Sequence, residues 1–215
     1  MPATSPTGQP GDSPDWFGTA AGQALALSEE TVVEQALGER PGQPWLWLAP
    51  AASATGGGGR GLRLSRSGGR WRGTIVCAAP FPLPGDCFAT VVMQHVLTRG
   101  GEAGQLLEEA ARLLVPGGRL WLLLLNPVAP YRWRWRGSGL AASEPLFWRR
   151  RLRACGLEPD PISFGVGPIW KPRVSPELQN GPGMRAAYVL RAERRVVPLT
   201  PVRRRGRVLH LSPAA

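Results

Sequence analysis

Three polar side chains follow apolar runs of the sequence directly, where they could take part in chemistry. Gln94 and His95 come after the run Phe88–Met93, and Asn126 comes after Leu120–Leu125. A histidine can act as a general base, and the two amides can hydrogen-bond a substrate or a carboxylate. Each group also has a structural interpretation, because a histidine can cap a helix start and an asparagine before proline favours a turn.

The elements that would position these side chains form a strand–helix–strand unit. Both apolar runs are continuous, which is typical of strands buried on two faces. Between them Leu106, Leu107, Ala110, Leu113 and Leu114 recur at helical spacing. Because parallel strands need a crossover helix, the pattern predicts a βαβ unit that binds ligands at the carboxyl ends of its strands. We expect the strands ending at Met93 and Leu125 to lie side by side and parallel in the middle of the sheet.

Shorter patterns predict the remaining elements. Predicted helices are Trp16–Leu37 and Glu144–Cys155, and predicted strands are Trp45–Leu48, Leu62–Leu64, Thr74–Cys77, Phe164–Ile169 and Met184–Arg194. The last of these strands is expected at an edge position of the sheet, and the connection between Leu64 and Thr74 is too short for a helix.

Charge is distributed unevenly along the chain of 215 residues, which carries a net charge of +11. Residues 131–215 hold seventeen Arg and Lys against five acids, so the basic excess lies in this part. This excess is either a solvated, arginine-rich surface or a site for nucleic acid or another polyanion. The three cysteines have no metal or redox spacing, and no metal site, transmembrane segment or secretory signal is predicted, so a cytoplasmic protein is expected.

An aromatic and basic segment, Tyr131–Arg136, follows the second apolar run. In an extended chain Tyr131, Trp133 and Trp135 would share one face, and the arginines would share the other. Three interpretations stay open: a lid or packing loop, a single-stranded nucleic-acid site, or a contact with a membrane surface or other anion.

The order of elements and two sequence runs resemble class I S-adenosylmethionine (SAM) dependent methyltransferases, and most of all the type 11 group. The runs are PFPLPGDCFATVVMQHVL and LLEEAARLLVPGGRLWLLLLNP, with a weaker likeness in WFGTAAGQALAL. The resemblance implies an α/β fold with a Rossmann-like, mostly parallel sheet, an antiparallel edge strand and a trimmed N-terminal half.

The resemblance also implies SAM as cofactor and a set of site residues. Leu48 and Ala49 would pass beneath the methionine part of the cofactor, and Pro80 and Phe81 would line its adenine side. The implied positions after the fourth family strand are Met93, Gln94 and His95, and those on the substrate side are Asn126 and Trp133.

Several cofactor positions depart from the family pattern, so the SAM site is expected to be weakened. The first strand ends in Trp47-Leu48-Ala49-Pro50 without the usual glycine loop, and Leu64-Ser65-Arg66 has no acid for the ribose. The run Gly56–Gly59 is either a displaced binding loop or a flexible insertion. A ribose carboxylate makes two hydrogen bonds of about 1.5–3 kcal/mol each, so its loss would remove roughly two to four decades of affinity.

We therefore expect three segments: a disordered N-terminal segment at 1–15, a methyltransferase-like domain at 16–195 and a basic disordered tail at 196–215. The expected function is transfer of a methyl group from SAM to an unidentified acceptor. Two alternatives are a catalytically inactive methyltransferase fold that acts as a binding module, and a basic RNA-binding protein.

Overall fold

The computed structural model describes residues 15–50, 59–67, 69–97 and 101–195. The expectations for residues 1–14, for the glycine-rich loop at 51–58 and for the tail at 196–215 concern parts of the chain outside these ranges. The helices are α1 (Ala20–Gly38), α2 (Gly101–Leu113) and α3 (Pro145–Ala154), with 3₁₀ helices at Asp15–Gly18 and Pro130–Arg134. The strands are β1 (Trp45–Ala49), β2 (Gly61–Ser67), β3 (Arg70–Gly73), β4 (Val76–Cys77), β5 (Phe88–Gln94), β6 (Leu114–Leu125), β7 (Leu157–Pro159), β8 (Phe164–Val166), β9 (Gln179–Asn180) and β10 (Ala187–Arg194).

The strands form one mixed sheet in the order β4-β3-β2-β1-β5-β6-β10-β8-β9, and β7 also pairs with β10. The four central strands β2, β1, β5 and β6 are parallel, and the strands on both flanks are antiparallel. Met93 pairs with Leu48 on one side and with Leu122 on the other. The predicted α/β class and the parallel pair at the centre of the sheet are therefore confirmed.

The edge position predicted for the last strand is wrong. β10 is paired on both sides, by β6 and by β7 and β8, rather than at an edge. Its first residues, Ala187 to Leu190, are buried, because continuous apolar sequence suits an interior strand. The connection between Leu64 and Thr74 is too short for a helix, as predicted, and within it β3 (Arg70–Gly73) pairs antiparallel with β2.

Helices cover both faces of the sheet and position the site. α1 packs on one face, where Val32 and Val33 join Trp47 and Val92 in one apolar cluster. α2 and α3 pack on the other face against Leu48, Met93 and Leu122. α1 begins at Ala20 rather than Trp16, because the Thr19 hydroxyl accepts a hydrogen bond from the Gly22 amide and caps the helix. None of the described helices combines the length and apolar character that crossing a bilayer requires.

Candidate functional site

The carboxyl ends of β1 and β5 lie next to each other on the sheet. Leu48, Ala49 and Met93 are at most 1% exposed there, and Leu48 is the strand partner of Met93. Three of the residues predicted to bind a cofactor are thus brought together. Their side chains belong to the core, so they form an apolar floor and supply no polar contact.

Polar side chains from three elements meet at this end of the sheet. Gln94 Nε2 donates to Glu29 Oε2 at 2.8 Å, and Gln94 Oε1 accepts a hydrogen bond from Trp47 Nε1 at 3.2 Å. His95 Nε2 lies 2.8 and 2.9 Å from the two carboxylate oxygens of Glu29. The side chains of His95 and Glu29 are 1% and 0% exposed. We call these four residues the polar cluster; it links α1, β1 and the end of β5.

The contacts of His95 define which imidazole nitrogen is free to react. Because a carboxylate only accepts hydrogen bonds, Glu29 places the proton of a neutral imidazole on Nε2. Nδ1 then carries a lone pair, and it is buried without a hydrogen-bond partner among the described residues. Phe17 stacks on the ring at a centroid distance of 5.2 Å, and His95 has a left-handed backbone (φ +53°). The orientation of the ring is thus fixed by a carboxylate, an aromatic ring and the backbone.

The Pro80–Phe81 segment is held by an ion pair on α2. Glu109 Oε1 accepts a hydrogen bond from the Phe81 amide at 2.8 Å, and Arg112 donates to the Phe81 carbonyl at 3.2 Å. The hydrogen bond from Arg112, helped by the Phe81 amide, lowers the pKa of the Glu109 carboxyl. Pro80 is exposed and Phe81 is buried against Trp71, so only Pro80 presents its ring to solvent.

The end of β2 carries positive charge where the family pattern has an acid. Arg66 donates from both terminal nitrogens to Glu102 Oε2, at 3.0 and 3.1 Å. Glu102 lies in the first turn of α2 and its side chain is 67% exposed. The sequence of β2 (Gly61–Ser67) contains no carboxylate, and the acid that contacts Arg66 of this strand is the exposed Glu102 of α2.

Asn126 is fixed by backbone groups. Its Nδ2 donates to the carbonyls of Gly183 and Arg185, both at 2.9 Å, and its Oδ1 accepts from the Val128 amide at 3.2 Å. The residue is 1% exposed. These contacts join the end of β6 to the loop before β10, and they favour the structural interpretation of this asparagine.

The aromatic and basic segment forms a 3₁₀ helix rather than an extended chain, so its three aromatic residues do not share one face. Pro130 begins a 3₁₀ helix, which a proline suits because its φ is already fixed. Tyr131 and Trp135 are buried, whereas Trp133 is 60% exposed. The indole of Trp133 therefore points away from the core that its two aromatic neighbours join.

Trp133 borders an open cavity of about 500 Å³, which we call the tryptophan cavity. Its lining consists of Trp16, Thr19, Ala21, Pro130, Trp133, Arg134 and Trp170. The Trp16 indole donates to the Arg134 carbonyl at 2.8 Å, and Arg134 Nε donates to the Trp170 carbonyl at 3.3 Å. Three distant parts of the chain are thereby tied together around one space.

Sequence reasoning missed Glu29, Trp16 and Trp170 as residues of candidate sites. The signal for Glu29 was present, since it lies four residues from Leu25 and Val33 on the apolar stripe of α1. A charge on such a stripe needs a buried partner. No comparable pattern marks the two tryptophans, because their proximity arises from the tertiary structure.

Comparisons with known proteins identify the fold. No protein-family model matches the chain, and no curated protein matches it. A SAM-dependent methyltransferase from Thermotoga maritima, described as a possible histamine N-methyltransferase, is similar in structure with a TM-score of 0.58 and 15% identity, covering 84% of this chain and 93% of that one. A complex between the Haloferax volcanii Trm112 methyltransferase activator and a candidate methyltransferase is similar with a TM-score of 0.55 and 12% identity, covering 87% of this chain and 99% of that one.

In the described sheet, the parallel strands β2, β1, β5 and β6 lie at the centre, and the antiparallel β10 pairs with β6. The chain has the fold of the class I SAM-dependent methyltransferases.

Proposed function

We propose that the protein binds SAM and transfers its methyl group to an acceptor nucleophile in the cytoplasm. The observation that carries the proposal is the Glu29–His95 pair, buried at the carboxyl end of a central parallel strand. Ligands of such sheets bind at this edge. The three cysteines, Cys77, Cys87 and Cys155, are unpaired, which supports a reducing compartment.

The described residues suit the apolar parts of this cofactor. Leu48 and Ala49 would lie beneath the methionine chain, with Met93 beside them, and Pro80 and Phe81 would line the adenine side. The ribose side of the site is poorer, because β2 carries Arg66 there and this arginine is paired with the exposed Glu102 of α2. We therefore expect weak binding, reduced by roughly two to four decades relative to a site with a ribose carboxylate.

His95 would act as the general base in this proposal. When bound, SAM supplies an electrophilic methyl group, which leaves its sulfonium as the acceptor forms its new bond. The acceptor's proton passes to Nδ1 of His95, the nitrogen that has no other partner among the described residues. Glu29 keeps Nε2–H oriented and stabilises the positive charge of the resulting imidazolium.

Access to His95 requires a movement of the N-terminal 3₁₀ helix. Phe17 covers the imidazole, and Nδ1 has no exposed surface in this conformation. We infer that Asp15–Gly18 moves aside when the acceptor binds. Proximity and orientation would then supply most of the rate, with the base adding to it.

Calorimetric titration with SAM and its demethylated product, S-adenosylhomocysteine, tests the proposal. We expect both ligands to bind the wild-type protein and the His95→Asn variant, because His95 acts on the acceptor's proton. Transfer of a labelled methyl group to fractions of a cell extract should be lost in His95→Asn and kept in Glu34→Gln, a control on the exposed side of α1. Absence of heat and of a thermal shift at millimolar ligand would rule out the SAM proposal.

A binding module without catalysis is the second candidate. The observation that favours it is the side-chain amide of Gln94, whose Nε2 donates to Glu29 and whose Oε1 accepts from Trp47. The basic Arg66, at the position where the family has a ribose-binding acid, also favours a protein without catalysis. In that case a protein partner would be captured equally well by the wild type and by the Gln94→Ala and His95→Ala variants, and no methyl transfer would accompany it.

A further inference from the structure

Two exposed indoles border the tryptophan cavity, and no step of the methyl transfer proposed above uses them, although the family resemblance puts Trp133 on the substrate side. Trp133 and Trp170 are 60% and 63% exposed, although tryptophan is highly buried on average. Neither ring belongs to the apolar cluster of this face, which contains the buried side chains of Trp16, Tyr131 and Trp135. Large apolar rings that border a cavity and stay in water are typical of a ligand site.

The cavity is built from tethered segments. The hydrogen bonds Trp16 Nε1 to Arg134 O and Arg134 Nε to Trp170 O connect the N-terminal 3₁₀ helix, the segment after β6 and the loop after β8. Pro130 fixes the backbone at the start of its 3₁₀ helix. The indoles of Trp133 and Trp170 are therefore held by their backbones beside one space.

Positive charge surrounds the rings. The guanidinium groups of Arg132 and Arg136 lie 5.5 and 5.1 Å from the centre of the Trp133 ring. Arg134 uses only Nε in its hydrogen bond to Trp170, and its terminal nitrogens donate to no other described residue. Lys171 and Arg173 are exposed directly after Trp170. Among the described lining residues, Arg134 is the one charged side chain.

We propose that the tryptophan cavity binds a nucleotide unit of single-stranded nucleic acid, with a base stacked on an indole and a phosphate on Arg134. Indole faces next to guanidinium groups provide both contacts that hold single strands. A space of about 500 Å³ is in the range of sites for molecules of this size. A membrane surface fits less well, because the rings line a concave space and do not project from an amphipathic helix.

Nucleotide binding at the cavity requires no methyl transfer, although Trp16 of its lining belongs to the 3₁₀ helix that would move when the acceptor binds, so the site is tested without SAM. Fluorescence anisotropy of a labelled oligonucleotide of about eight residues measures binding to the wild type and to Trp133→Ala, Trp170→Ala and Arg134→Gln. We expect each tryptophan variant to bind about five- to a hundredfold more weakly. Arg134→Gln should bind more weakly and reduce the slope of log K against log salt by about 0.7.

Matched controls come from α3. Phe147→Ala and Arg150→Gln remove an exposed ring and an exposed charge outside the cavity, and we expect binding within about twofold of wild type. Since all substituted side chains are exposed, the variants should have the same thermal melting curves as the wild type. Unchanged binding in both tryptophan variants, or an equal loss in the α3 controls, would overturn the proposal.

Two further arms separate the sources of the ligand. If free adenosine or uridine monophosphate binds with the same dependence on Trp133 and Trp170, the cavity recognises a single nucleotide, and the rest of the nucleic-acid strand is not required. Binding to phosphatidylglycerol vesicles that depends on the two indoles, without oligonucleotide binding, would contradict the proposal and identify a membrane contact.

Discussion

His95 and Glu29 form a buried pair between β5 and α1, with His95 Nε2 2.8 Å from Glu29 Oε1. The pair joins residues that are 66 positions apart, and Gln94 adds a further bond to the same carboxylate. Removing one member of a buried pair costs more than the pair contributes, because it leaves the partner without compensation.

Loss of the carboxylate should therefore destabilise the fold. We expect Glu29→Ala to lower the free energy of unfolding by about 3–5 kcal/mol, measured by urea denaturation. Glu34→Ala on the exposed side of the same helix should change it by about 0.5 kcal/mol or less. Equal changes in unfolding free energy for the two substitutions would show that the buried Glu29–His95 pair contributes no more to stability than an exposed glutamate does.

The Glu109–Arg112 pair predicts a pH dependence. The pKa of Glu109 is lowered from its ordinary value of 4.5, first by the hydrogen bond from Arg112. A carboxyl with a lowered folded-state pKa stabilises the protein above its unfolded-state pKa, and this contribution is lost as pH falls through the folded-state pKa.

Wild type should accordingly exceed Glu109→Gln in unfolding free energy at pH 7, by about 1–3 kcal/mol. Below pH 4.5 the difference should shrink, since protonated Glu109 resembles glutamine. Denaturation curves of both proteins across this pH range measure it. If the difference in unfolding free energy between the two proteins stays constant with pH, the lowered pKa of Glu109 in the folded state is contradicted.

Gly22 of α1 sets the distance to the N-terminal 3₁₀ helix. A Cβ at this position would lie 2.2 Å from the Trp16 carbonyl oxygen and 2.5 Å from the Phe17 Cα. Because these are backbone atoms, Gly22→Ala must displace the segment that covers His95. We expect a loss of about 1–3 kcal/mol and a changed near-ultraviolet circular dichroism spectrum.

Gly104 provides the matched control, since a Cβ there meets no atom within 4 Å. Gly104→Ala in α2 should stabilise the protein by about 0.5–1 kcal/mol, because alanine favours the helix. Destabilisation by both substitutions would indicate a general intolerance of the fold and not a specific close approach.

Asn126 should respond differently to two substitutions. Asn126→Ala leaves the carbonyls of Gly183 and Arg185 without their donor, at a cost of about 1–3 kcal/mol. Asn126→Asp should cost more, because it places a carboxylate oxygen against the same two carbonyls. Thermal unfolding ranks the variants, and the reverse order would show that the amide is oriented differently.

The α/β framework could be predicted from sequence because its signals are local. Continuous apolar runs with a helical repeat between them indicated β5, α2 and β6, and the structure confirms their parallel order. The position of β10 was misjudged, because an apolar strand is compatible with pairing on one side or on both. The 3₁₀ helix at Pro130–Arg134 was missed, since alternating aromatic and basic residues are also compatible with an extended chain.

The candidate sites could likewise be predicted in part from the sequence. The sequence by itself determined the sheet class, the apolar floor at Leu48 and Met93, and the place of Gln94 and His95 after a buried strand. Only the tertiary structure brought Glu29 to His95 and placed Trp16 and Trp170 at one cavity, because these residues are far apart in the chain. Such pairings depend on how α1 and the loops pack over the sheet, and a local pattern of residue types carries no record of that packing.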